Sequence, residues 1–127
     1  MSNLKPRGIP IVLEGEERHF LFTLNTIDEI QDKYDKSMGE IFEELQEEET
    51  AMDTLKEIVT VLLNKEAERE KRLKGRDIPE ITEEEVGELI GMDNVGEVVT
   101  AVFRAYGYSM PEADENDPNQ ESGQQNK

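Results

Sequence analysis

The sequence predicts an α+β fold: an N-terminal antiparallel β-hairpin packed with about five α-helices and followed by a disordered acidic tail. Three observations carry this. Apolar residues alternate with others first as Ile9, Ile11 and Leu13, then as Phe20, Phe22 and Leu24, with Gly15 between the two runs. Downstream, apolar residues recur at helical spacing in several separate stretches, most regularly Leu55, Ile58, Val59, Leu62 and Leu63. Residues 111–127 hold no Leu, Ile, Val or aromatic side chain, so nothing there offsets the entropy of ordering. The chain therefore divides into a flexible leader (1–8), a single domain (9–107) and the tail (108–127).

In order, Pro6 and Gly8 break any regular structure in the leader. The hairpin follows, connected through Gly15-Glu16-Glu17, with Phe20, Phe22 and Leu24 on one face and His19, Leu21 and Thr23 on the other. Val12 and Leu21 place apolar atoms on that second face, where a helix or a partner can cover them. Two strands alone are marginal in water, so the hairpin needs helices on its apolar side. Asn25 reads as the N-cap of the first helix, with Ile27, Ile30 and Tyr34 inward. Ser37 and Glu40 form a capping box that opens the second, which buries Met38, Ile41, Phe42 and Leu45.

The longest helix spans 51–74. Its apolar stripe ends at Asn64, and residues 65–74 mix Glu, Arg and Lys in weak pairs of about 0.2–0.5 kcal/mol each, so this end is free to project beyond the core. Gly75 stops it. Residues 76–81 form an extended linker around Pro79, and Thr82 with Glu85 makes a second capping box. A short helix over 83–90 buries Val86, Leu89 and Ile90, is weakened by Gly87 by roughly 1 kcal/mol, and stops at Gly91. Asp93 or Asn94 starts the last helix, with Val95, Val98, Val99, Val102, Phe103 and Tyr106 inward. Its stripe matches that of the longest helix, which makes the two natural neighbours.

Composition narrows the function. The formal charge is −17, from 31 acids against 14 bases, which argues against nucleic acid as a ligand and favours basic partners or simple solubility. Without cysteine there are no disulfides and no thiolate metal sites. No apolar run reaches the roughly 18 residues of a membrane span, and Met1-Ser2-Asn3-Leu4-Lys5 is not followed by a signal core, so a cytoplasmic protein is expected.

Catalytic, metal and cofactor chemistry finds no candidate residues, and the chain is not expected to be an enzyme. His19 is the only histidine and has no Ser or Asp spaced for a triad. A calcium loop beginning at Asp114 needs Gly at its sixth position and Glu at its twelfth, where Asn119 and Gln125 stand. Gly87, Gly91 and Gly96 match no phosphate-loop pattern. Surplus apolar surface marks an interface instead, and the residues singled out for partner binding are Val12, Leu21, Leu62, Leu63 and Met92.

Ile11-Val12-Leu13-Glu14-Gly15, then Phe20, Phe22 and Leu24-Asn25, then Ile27, Ile30 and Tyr34, resembles the N-terminal signature of the tail assembly chaperones of long-tailed, siphovirus-like phages and prophages. The match covers roughly a third of the chain and consists of structural positions; the 65–74 extension and the 76–81 linker have no counterpart in it. The resemblance implies a host-cytoplasmic protein that binds the tape measure protein, helps recruit tail tube protein subunits, self-associates and is absent from the finished virion. It also implies a longer, frameshifted product that joins after Gly107. An alternative from another class is an acidic regulatory or inhibitory protein that mimics nucleic acid to block a basic partner. The first predicts apolar contacts that survive moderate salt, the second salt-sensitive binding through acidic residues on one face.

Overall fold

A computed structural model describes residues 7–47 and 51–107. The predicted architecture is present: hairpin β1 (Ile9–Leu13) and β2 (Glu16–Phe20), then α1 (Leu24–Tyr34), α2 (Met38–Glu44), α3 (Ala51–Lys74), α4 (Glu83–Leu89) and α5 (Val95–Tyr106). The tail expected to be disordered, and residues 1–6 of the leader, lie outside the described residues.

The strands are antiparallel, with Ile9 opposite Phe20, Ile11 opposite Arg18 and Leu13 opposite Glu16. These six side chains share one face, and Ile11, Leu13 and Phe20 are buried. The connection is tighter than the expected 15–17 loop. Glu14 (φ 51°) and Gly15 (φ 84°) form a two-residue turn, the left-handed pair whose twist suits a hairpin, and Glu16 and Glu17 belong to the strand.

The strand ends at Phe20, so Leu24 does not extend its apolar face but sits in the first turn of α1, 82% exposed. The N-cap is Thr23 and not Asn25: its hydroxyl accepts from the Thr26 amide at 3.1 Å and lies 2.9 Å from the Thr26 hydroxyl. Thr26 is fully buried, so one residue satisfies two groups that would otherwise be buried without partners, and Asn25, one residue from Thr26, is not placed to do so.

Both capping boxes form as predicted, at Ser37 and Glu40 and at Thr82 and Glu85. Ser37→Ala is expected to lower stability by about 1 kcal/mol, read as a shift of the urea midpoint at unchanged slope; an unmoved midpoint would mean that the cap contributes nothing.

A single cluster of buried side chains draws on both strands and all five helices. Its aromatic part centres on Phe42, whose ring centroid lies 4.8 Å from Phe103, 4.9 Å from Tyr106 and 6.2 Å from Phe22. α3 packs on β2, α1 and α4, while α5 packs mainly on β1. The matching stripes of α3 and α5 enter the same core cluster, each with its closest backbone approach to a strand of the hairpin.

The charged end of α3 is continuously exposed only in its last turn, residues 71–74. Glu66, Ala67 and Glu70 are buried, and β2 supplies polar partners for Glu66 where apolar ones run out. Asn64 fixes the linker, accepting from the Ile81 amide at 2.8 Å and donating to the Ile81 carbonyl at 3.0 Å. α4 buries only Val86, with Leu89 and Ile90 half-exposed. Gly87 has a packing role, since a Cβ there would stand 3.2 Å from the Lys56 side chain of α3. Gly91 is not the left-handed stop expected: the C-cap is Ile90, in extended conformation. Asn94 precedes α5 without capping it through its side chain. It accepts from the Gly91 amide and donates to the Leu89 carbonyl instead, tying α4 to α5.

Candidate functional site

A groove of about 720 Å³ runs along the open edge of β1, lined by Ile9, Pro10, Val12 and Glu17 of the hairpin and by Gly96, Glu97, Thr100 and Arg104 of α5. A two-residue hairpin makes Leu13–Glu16 a hydrogen-bonded pair, so Ile11–Arg18 and Ile9–Phe20 are hydrogen-bonded in turn. Pro10 and Val12 consequently direct their backbone groups outward. Pro10 has no N–H to offer, which blunts the edge against indiscriminate pairing, while the Val12 amide and carbonyl remain available. Val12 is 58% exposed. Along α5, Gly96, Thr100 and Arg104 recur every four residues, giving a helix face with little bulk at one end and a cation at the other. This arrangement can hold an extended segment or a slim helix through apolar contact and two or three polar bonds.

A second constellation joins β2 to α3. Glu66 accepts from the Arg18 Nε at 2.6 Å, and its other oxygen lies 3.0 Å from the His19 Nδ1. The remaining His19 nitrogen faces Glu17 at 3.0 Å, and Arg18 also donates to the Leu63 carbonyl at 3.1 Å. The imidazole is held between two carboxylates, and among the described residues it makes no hydrogen bond to a Ser or Thr hydroxyl that it could activate. Its geometry is that of a strut between strand and helix. Another strut joins α1 to α3, where the Tyr34 hydroxyl donates to Glu57. Burial, then that hydrogen bond, pushes the Tyr34 phenol well above its usual range, so it stays a donor at any physiological pH.

Comparison with protein-family models, curated proteins and solved structures gives no match.

Of the residues singled out in the sequence, only Val12 lines the groove. Leu62 and Leu63 are buried in the core, 1% and 0% exposed, which removes them from any docking surface of this fold. Leu21 is half-buried, and Met92 stands 90% exposed between α4 and α5, outside the groove lining. The groove residues that sequence reading missed are Pro10, Gly96, Thr100 and Arg104. A Gly-Thr-Arg spacing of four, beside Glu97 on a largely apolar helix, was the available signal, but it reads equally as a solvated face. Among the described residues, no group of three His, Asp or Glu side chains is placed to hold a metal, and no helix is long and apolar enough to cross a membrane.

Proposed function

We propose that the protein is a tail assembly chaperone of a long-tailed phage or prophage. It works in the host cytoplasm, self-associates around the tape measure protein, keeps that protein soluble and helps recruit tail tube subunits. The observation that carries this reading is the β1–α5 groove, where a strand edge with exposed Pro10 and Val12 stays uncovered in a protein of charge −17. A client with long amphipathic helices aggregates when bare, and a highly charged coat with a local apolar grip counters that. Of the residues that carry the family resemblance, those from Ile11 to Phe20 lie in the hairpin and those from Leu24 to Tyr34 in α1, with Ile11, Leu13, Phe20 and Ile30 in the core.

The test is co-expression of the full chain with the tape measure protein encoded beside it, followed by tagged pull-down at low and moderate salt. A soluble complex is expected at both. Val12→Glu, which alters an exposed side chain, should weaken recovery about tenfold, the equivalent of 1.4 kcal/mol. A complex that dissociates at moderate salt and ignores Val12→Glu would point to the acidic mimic of nucleic acid instead. An insoluble client and no complex would overturn the reading.

A further inference from the structure

The cleft between the start of α1 and the last turns of α3 is basic, in a protein with more than twice as many acids as bases. It measures about 240 Å³ and is lined by Thr23, Asn25, Lys65, Glu68, Arg69 and Arg72. The recess under the hairpin turn, by contrast, carries Glu14, Glu16, Glu85 and Glu88. Arg69 is half-buried, and burial lowers its pKa; the charges of Glu66 and Glu70 oppose that shift, and those of Arg7 and Arg72 add to it.

The acids nearest Arg69 are engaged elsewhere. Glu66 holds Arg18 and His19, while Glu70 holds Lys74 at 3.5 Å and Arg76 at 3.2 Å. Lys65 is taken by Glu29 and Glu68. Among the described residues, Arg69 and Arg72 are the cations of the cleft without a salt bridge to a carboxylate, and Glu66 and Glu70 act on Arg69 only through their charge. The N-terminal end of α1, with no acid in its first turn, adds its own positive field. Two adjacent guanidinium groups, one partly desolvated, are costly without an anion and well matched to carboxylates.

We propose that this cleft docks the chain's own acidic C-terminal segment, with Glu112, Asp114 and Glu115 facing Arg69 and Arg72. Chain geometry supports that occupant. α5 ends at Tyr106, whose ring packs edge-on to Phe22 at 5.3 Å, and Phe22 is bonded to Thr23 of the cleft wall. From Gly107, Glu112 is reached in five residues and Glu115 in eight, spans of up to about 17 and 27 Å. Residues 112–121 supply five carboxylates and no cation, and being tethered they act at high effective concentration.

The experiment uses the full, isotopically labelled chain with a nitroxide on Ser122→Cys, in a sequence without any other cysteine. At low salt the amide signals of Asn25 and Arg72 should lose at least about half their intensity relative to Gly87, and regain it at 1 M salt, where the Debye length is about 3 Å. Arg72→Ala should reduce the effect. The variant E112Q/D114N/E115Q/D117N/E121Q, which leaves the folded body untouched, should abolish it. Full intensity at low salt, or broadening that persists in the neutralised variant, would overturn the proposal. So would broadening seen only between a spin-labelled copy and a separate isotopically labelled copy, since the occupant would then be a second molecule.

Discussion

Phe42→Ala is expected to cost about 3–5 kcal/mol, the range for removing a fully buried phenylalanine. Phe42 is completely buried and is the ring shared by three aromatic contacts, to Phe22, Phe103 and Tyr106. Those partners come from α5 and from the segment between β2 and α1, so the lost ring separates elements remote in sequence and the hole cannot close by a local shift. Each aromatic contact adds about 0.5–1.5 kcal/mol beyond area. Against a typical domain stability of about 5–15 kcal/mol, the variant should be marginal, with its urea midpoint falling steeply. Phe42→Leu, which refills much of the volume, should recover a large part. If alanine costs under about 1 kcal/mol, the aromatic cluster is not the packed centre described above.

The parts of this fold legible in the sequence are those fixed by short-range rules. The period-two run before Gly15, both capping boxes and the five-residue stripe of α3 each depend on neighbours within a few positions, and each is present, whereas the run after Gly15 keeps only Phe20 in a strand. Boundaries that depend on distant partners were misread. Thr23 and Asn25 are both competent caps, and the choice falls to Thr23 because Thr26 is buried beneath it, which no local pattern reveals. The end of α3 looked solvated because its side chains are charged, yet Glu66 is buried since Arg18 and His19 reach it from a strand 47 and 48 positions away. The stripes of α3 and α5 suggested mutual packing, and they enter one core cluster, but each makes its closest backbone approach to a strand of the hairpin.

The candidate sites were less legible for the same reason. Val12 was identifiable as apolar and on the outer face, but the α5 half of its groove is made of Gly96, Glu97, Thr100, Ala101 and Arg104, which become a surface only when β1 lies beside them. The basic cleft was invisible as such. Lys65, Arg69 and Arg72 are interspersed with Glu66, Glu68 and Glu70 in sequence, and only the fold diverts Glu66 and Glu70 to other partners, leaving the two arginines facing Thr23 and Asn25.

Glu66→Ala should be as damaging as loss of the central ring, about 3–5 kcal/mol, because it strands a charge that the fold has withdrawn from water. The side chains of Arg18 and Glu66 are only 11% and 5% exposed, and their 2.6 Å bond is joined by those to His19 and the Leu63 carbonyl. Removing the carboxylate leaves the Arg18 guanidinium with a single carbonyl for five donors. Arg18→Met with Glu66→Leu replaces the pair by apolar side chains of similar length, and this double variant should be far more stable than Glu66→Ala, because the desolvation cost of the ions disappears with them. Urea unfolding of wild type, Arg18→Met, Glu66→Leu and the double variant gives the coupling directly. Costs that simply add would mean that the pair is solvated and incidental. A large coupling would assign the strut a positional role: Glu66 pins α3 to β2 one turn before Arg69, and so sets where the unpaired arginines stand relative to the start of α1. The double variant should then keep its fold while losing part of the salt-dependent broadening at Asn25, which separates the stability that Glu66 provides from the placement it enforces.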